Sequence, residues 1–233
     1  YLMYSIINEP VPDGIVDGVN VDGNTVTITL YAPYKDYVAI KGSWNSQFDA
    51  GELMKLSGDT LWWYQTDLSN GEYTYQYNID GVRTIADPWS KDVTWIDPGG
   101  GWESGNPDYA KSTFEVGAIP FNWTDEYFQI PSKEETVIYE LHVGDFLGID
   151  GQIGTYQNII DKLEEGYFND LGINAIELMP INEFEGANSW GYNATFYMAP
   201  ETTYGTPDEL RLLIDTAHQH GIAVLNDVVF NHL

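Results

Sequence analysis

A chain of 233 residues, 43% apolar and 15% aromatic, carries enough nonpolar material for one large domain or two smaller cores. Its 36 acidic against 9 basic residues, a formal charge of −27, argue against nucleic acid and anionic membrane surfaces as partners, because both repel a polyanion. Without cysteine it has neither a disulfide framework nor a thiolate metal site, and no run of about 18 apolar residues is present to span a bilayer.

Residues 1–20 read as a lead-in. They begin at Tyr1 with no charged segment ahead of an apolar one, so any signal peptide is expected outside this chain. Residues 17–23 (Asp-Gly-Val-Asn-Val-Asp-Gly) lack acids at both ends of a calcium-loop register and read as turns. From 21 to 96 apolar and polar residues alternate, as in Val26-Thr27-Ile28-Thr29-Leu30-Tyr31 and Tyr73-Thr74-Tyr75-Gln76-Tyr77-Asn78-Ile79. Asn70-Gly71 and Asp80-Gly81 supply tight turns between runs. Short strands joined this way predict an antiparallel β-sandwich of the immunoglobulin-like kind. Trp44, Trp62, Trp63 and Trp89 are expected as core or interface aromatics. Residues 97–135 hold Pro, Gly and Asn throughout, including Pro98-Gly99-Gly100-Gly101, and read as an irregular connector.

From 136 to 233 the rhythm changes to alternating strand and helix. Residues 137–143 and 173–179 are apolar strands, a helix fills about Thr155 to Leu171, and a last strand follows Ile222-Ala223-Val224-Leu225. The second helix has Thr206 as its cap, Pro207 in its first turn, Glu209 to complete a capping box and Gly221 to end it. Leu210, Leu213, Ile214 and Ala217 fall on one face, the face expected against the sheet. Alternating strand and helix predict a parallel sheet.

The chemistry concentrates where the last strand ends, at Asp227-Val228-Val229-Phe230-Asn231-His232. Alternation sets Leu225, Asp227, Val229 and Asn231 on one side and Val224, Asn226, Val228 and Phe230 on the other. A carboxylate among aliphatic residues needs a cationic or hydrogen-bonding partner, and spacing alone names none for Asp227. On spacing alone a capping Asp and a functional one are equally well supported, and a lone His is more often a satisfied polar residue than a ligand.

Asp-Val-Val-Phe-Asn-His resembles the first signature of the α-amylase family, glycoside hydrolase family 13. Residues 172–180 (Gly-Ile-Asn-Ala-Ile-Glu-Leu-Met-Pro) resemble its second-strand motif, and Trp190-Gly191-Tyr192 resembles the segment that stacks on the sugar to be cleaved. The resemblance implies the first three strands of an incomplete (β/α)8 TIM barrel, a complete one taking about 250 residues. It implies substrate-binding roles for Tyr192 as stacking platform, with Trp190 beside it, for His232 as hydroxyl-binding donor and for Asp227 as orienting carboxylate. Asn231 would shape the site and in some members binds calcium; no other cofactor is required. The family's nucleophile and general acid lie on later strands, so none is expected in this chain, and Glu140, Glu177, Glu183 and Glu185 match no catalytic position. The chain is therefore expected to be the N-terminal part of an α-glucan-acting hydrolase that cleaves α-1,4 bonds of starch or glycogen with retention, inactive alone and poorly soluble at an unpaired sheet edge. The alternatives are a glucanotransferase or branching-type enzyme of the same family and a non-catalytic glucan-binding protein.

Residues 37–45 (Tyr-Val-Ala-Ile-Lys-Gly-Ser-Trp-Asn) and 71–81 (Gly-Glu-Tyr-Thr-Tyr-Gln-Tyr-Asn-Ile-Asp-Gly) resemble carbohydrate-binding module family 48. Glucan-binding members carry Trp shortly after each motif, where this sequence has Gln47, Phe48 and Val82-Arg83, so a packing role is expected. A polymeric substrate and an acidic surface favour a secreted or cell-surface setting.

Overall fold

The computed structural model describes residues 5–46, 51–95, 109–125, 127–148, 151–184, 186 and 189–230. They form two compact units divided in sequence between Ile119 and Pro120.

In the first unit the strands are β1 (Gly18–Asp22), β2 (Thr25–Tyr31), β3 (Val38–Gly42), β4 (Glu52–Leu53), β5 (Lys55–Ser57), β6 (Leu61–Asp67), β7 (Gly71–Ile79), β8 (Arg83–Ile85), β9 (Val93–Trp95) and β10 (Ala110–Val116). One antiparallel sheet has the order β1-β2-β6-β5; the other has β4-β3-β7-β10-β9, with β8 also on β7. Alternation explains the core they share: Val26, Ile28 and Leu30 of β2, Val38 and Ile40 of β3, Trp62 of β6, and Tyr75 and Tyr77 of β7 all enter it. Trp62 and Trp63 are 1% and 2% exposed, as expected of core aromatics, whereas Trp89 is 43% exposed. Gln47 and Phe48 lie outside the described residues.

Both limits of the alternating region extend beyond 21–96. On the N-terminal side, the backbone of Ile7 and Glu9 bonds to Leu56 and the Trp63 indole N–H donates to Glu9 O, so residues 7–9 run along β5. On the C-terminal side, β10 lies inside the expected connector and pairs with both β7 and β9. Its polar residues hid it: Ala-Lys-Ser-Thr-Phe-Glu-Val buries Ser112 in phase with Ala110 and Val116, and the Ser112 hydroxyl accepts the Asp87 N–H at 2.7 Å, so a polar residue interrupts the inward apolar phase.

Asp87 itself is fully buried. Its Oδ2 accepts the Tyr75 hydroxyl at 2.5 Å and the Tyr77 hydroxyl at 3.0 Å, and Oδ1 accepts the Trp89 N–H at 2.8 Å. Burial raises its pKa despite those donors, so the carboxylate is tolerated only because the tyrosines satisfy it.

In the second unit a parallel sheet β11 (Ile138–Leu141), β12 (Ala175–Leu178) and β15 (Ala223–Asn226) has β12 in the middle, and a hairpin of β13 (Asn182–Phe184) and β14 (Ala194–Pro200) stands apart from it. The first helical stretch breaks into α1 (Tyr156–Glu164) and a single turn α2 (Tyr167–Asp170), because Gly166 takes φ +77° between them. The final helix, α3 (Pro207–Gln219), has the foreseen cap: Thr206 accepts the Glu209 N–H, and the Glu209 carboxylate accepts the Thr206 N–H at 2.7 Å. Leu213 and Ala217 are fully buried, with Leu210 and Ile214 packed beside them.

The hairpin, not foreseen from the pattern, is fixed by two buried carboxylates. Glu183 accepts the Thr202 N–H at 2.7 Å, and Glu201 accepts the N–H groups of Thr203 and Phe184 at 3.0 and 3.3 Å. Thr124 and Phe128, also placed in the connector by sequence, lie against α3: Thr124 donates twice to Asp215 at 2.7 Å and the Phe128 ring stacks on His218 at 4.0 Å.

Asp87→Ala leaves the Tyr75 hydroxyl buried without its acceptor and is expected to cost the first unit about 3 kcal/mol in urea unfolding. A loss below about 0.5 kcal/mol, within the range of neutral surface changes, would contradict the structural role of this network.

Candidate functional site

The parallel sheet has two unlike faces. Tyr139, Leu141, Ile176, Leu178 and Val224 pack with α1 and α3 in one core. Alternation turns Glu140, His142, Glu177, Met179, Leu225 and Asp227 to the opposite face. Register places Glu140 beside Glu177 and Glu177 beside Leu225. The ladder runs one residue further, with the Met179 N–H donating to Leu141 O and the Asp227 N–H to Leu178 O, both at 2.9 Å. His142, Met179 and Asp227 therefore form a row at the carboxyl ends of the three strands, where loops of α/β folds build sites. Asn226 is exposed, so its amide imposes no demand for a buried partner.

The partner that Asp227 requires comes from the loop ahead of β14. The Tyr192 hydroxyl donates to Asp227 Oδ2 at 2.7 Å. That bond is the first cause of a Tyr192 pKa pushed up to about 12; partial burial and the negative charges of Asp227, Glu140 and Glu177 follow. Tyr192 is half-buried, and Trp190 is 66% exposed. The structure thus brings Tyr192 and Asp227 together, with the Trp190 ring free on the same loop. His232 and Asn231 lie outside the described residues, and so does Glu185. Among the described residues no group of three His, Cys, Asp or Glu is spaced to hold a metal ion.

Local packing explains why the loop reads Trp-Gly-Tyr. Gly191 adopts φ +85°, and a Cβ there would lie 2.3 Å from the Pro180 carbonyl oxygen at the exit of β12. Its N–H donates to Ser189 Oγ at 3.1 Å. The Ser189 carbonyl is in turn 2.9 Å from His142 Nε2, which also lies 2.9 Å from the Tyr204 hydroxyl. Neither His142 nor Tyr204 stands out in the sequence as a site residue. The rule applied to the last strand, a polar residue where an apolar strand ends, would have found His142 had it been applied to Leu141-His142-Val143 as well. Of the remaining acids, Glu140 is exposed and Glu183 is buried in the hairpin, the solvated and structural roles expected of them.

Two measurements follow from this geometry. Asp227→Asn removes the charge that holds the phenol proton, so the Tyr192 pKa, followed by NMR of ring-labelled tyrosine and assigned with Tyr192→Phe, should fall from about 12 toward the ordinary 10.0. Because the folded value is the higher one, the neutral phenol's contribution to stability is present below pH 10.0 and is lost as pH rises through about 12; the Asn variant should lose that segment of the pH profile. A value still near 12 would show that Asp227 is not the cause. Gly191→Ala must displace the Pro180 carbonyl and strain φ, at a cost of about 2 kcal/mol in thermal unfolding, whereas an unchanged melting temperature would mean that the loop has another way to pack.

The α-amylase catalytic-domain model matches residues 112–233. The malto-oligosyltrehalose trehalohydrolase of Saccharolobus solfataricus is 32% identical over 93% of this chain and 34% of its own length. The 1,4-α-glucan branching enzyme of Aromatoleum aromaticum is 32% identical over 92% of this chain and 34% of its length. A solved GBS pullulanase in complex with maltotetraose superimposes with a TM-score of 0.73 over 94% of this chain and 34% of that one, at 24% identity, a likeness of fold. The chain spans about a third of the length of these relatives. With the catalytic-domain match covering more than half of its residues, the chain belongs to the α-amylase family of glycoside hydrolases.

Proposed function

We propose that the chain is the N-terminal part of an enzyme that hydrolyses α-1,4-glucosidic bonds of starch or glycogen with retention. In this reading the second unit is the first three strands of a (β/α)8 barrel, and the first unit is a β-sandwich akin to carbohydrate-binding module family 48. Trp190, Tyr192 and Asp227 hold one glucose unit, with His232 joining them. The observation that carries the reading is the Tyr192–Asp227 hydrogen bond of 2.7 Å at the carboxyl end of the parallel sheet. It fixes an aromatic ring and a carboxylate side by side, the pairing a sugar requires: C–H faces settle on aromatic rings and hydroxyls need a fixed acceptor. Tyr192 uses Oδ2, which among the described residues leaves Oδ1 to accept a sugar hydroxyl.

Retaining hydrolysis needs a nucleophilic carboxylate and a second carboxyl as general acid, about 5 Å apart. The nucleophile attacks the anomeric carbon, the acid protonates the leaving oxygen, and water then releases the covalent glycosyl ester. Asp227, held by the Tyr192 phenol, is suited to orienting the ring rather than to attack; it is the family resemblance that assigns nucleophile and acid to later barrel strands, beyond Leu233. Glucan transfer is the second reading: a glucan hydroxyl intercepts the same ester, and the similarity to a branching enzyme supports it. The trehalohydrolase relatives make malto-oligosyltrehalose a substrate to assay beside starch, glycogen and maltotetraose.

Titration of the 233-residue chain with maltotetraose is expected to show binding that Tyr192→Ala weakens at least about tenfold, about 1.4 kcal/mol. No reducing ends should appear from starch. Equal binding by wild type and variant, or starch hydrolysis by this chain, would contradict the assignment.

A further inference from the structure

We infer that His142 is a positioning residue for the sugar platform, setting the Ser189–Tyr192 segment from the end of β11 without touching substrate; the substrate part of this inference rests on the glucan reading of Tyr192. Three observations carry it. The His142 side chain is 8% exposed, so its ring nitrogens are withdrawn from water. Nε2 stands 2.9 Å from both the Ser189 carbonyl oxygen and the Tyr204 hydroxyl oxygen. Gly144, next but one along the chain, leaves room for that meeting, since a Cβ there would be 3.0 Å from His142 Cε1 and 3.2 Å from a Tyr204 ring carbon.

The carbonyl decides the proton. A carbonyl oxygen only accepts, so Nε2 carries the hydrogen and shares it between Ser189 O and Tyr204 Oη. Among the described residues Nδ1 makes no hydrogen bond, although Asp145 Oδ2 lies 3.0 Å from it. The imidazole also packs edge-on against the ring of Tyr204, which is itself 2% exposed and packed edge-on against Tyr156 and Phe184. From this rigid post the link to the platform is short. His142 holds Ser189 by its carbonyl, Ser189 Oγ holds the Gly191 N–H, Gly191 rests on Pro180, and Tyr192 follows. Other buried groups do not lead to the site: Asp87 and Glu201 are satisfied inside their own units, and the aromatic cluster around Trp44 packs on the first core.

His142→Gln can present an N–H near the Nε2 position, and His142→Leu cannot. Hydrogen exchange on the 233-residue chain without sugar should show the Gly191 amide exchanging at least tenfold faster in His142→Leu, within threefold of wild type in His142→Gln, and β12 and β15 unchanged in both. Maltotetraose affinity should fall about tenfold in the Leu variant and recover in the Gln variant. Unchanged Gly191 exchange in the Leu variant, or equal exchange in both variants, would overturn the inference. Should the Leu variant fail to fold, His142→Ala carries the test with the same tenfold expectation for Gly191, beside Tyr204→Phe, which keeps Nε2 and Ser189 and should leave Gly191 exchange within threefold; unchanged Gly191 exchange in the Ala variant, or a tenfold rise in Tyr204→Phe, would overturn the inference. Altered exchange with no wild-type binding of maltotetraose would sustain the positioning role and defeat only the glucan reading.

Discussion

The hydrogen bond from the Tyr192 phenol to Asp227 is the constraint on which the site depends. It is the contact by which the Trp190–Tyr192 loop reaches the third parallel strand, and it gives a carboxylate on a mostly apolar strand the partner that its sequence neighbours do not provide. Hydrogen bonds to charged groups contribute about 1.5–3 kcal/mol when buried and less where water competes, as it does beside a half-buried ring. Its structural effect exceeds its energy: ring orientation and carboxylate orientation become one variable. The Gly191–Pro180 contact and the His142–Ser189 bond hold the same loop at two further points, so the aromatic surface is arranged before any ligand arrives.

A common solution to charge runs through both units. With 36 acids and 9 bases, cationic partners are scarce, and the buried or half-buried carboxylates find hydroxyl and backbone donors. Asp87 takes two tyrosine hydroxyls, Asp215 takes Thr124, Glu201 takes Thr203, and Asp227 takes Tyr192. Neutral donors satisfy a carboxylate's lone pairs without neutralising it: at Asp87 and Glu201 desolvation outweighs them and raises the pKa, whereas at Asp215 the bonds from Thr124 and Gln219 outweigh desolvation and lower it. The chain's many tyrosines and threonines thus serve as its substitute for lysine and arginine.

Legibility from sequence followed the strength of local pattern. The cap of α3 and its buried face were readable because Thr206, Pro207, Glu209 and Gly221 act locally, and the parallel pairing of β11, β12 and β15 was readable from alternation of strand and helix. β10 is hard to read because Ser112, which turns its hydroxyl inward to Asp87, interrupts the apolar phase that Ala110 and Val116 carry. The β13–β14 hairpin was missed because its anchors, Glu183 and Glu201, look like surface acids until backbone N–H groups from the facing strand and the turn after it surround them. Tyr192 and Asp227 were each identifiable by motif, but the bond between them spans 35 residues and belongs to the tertiary fold. His142 carried the same cue as Asp227 on a different strand, and only its contacts reveal its use.

The most direct test of the central claim is a crystal structure of the chain soaked with maltotetraose. The account predicts one glucose ring lying on the Tyr192 face with a hydroxyl donating to Asp227 and the Tyr192–Asp227 bond intact. A saccharide bound elsewhere with the Tyr192 ring bare, or a Tyr192 ring turned away from Asp227 when sugar is present, would contradict it.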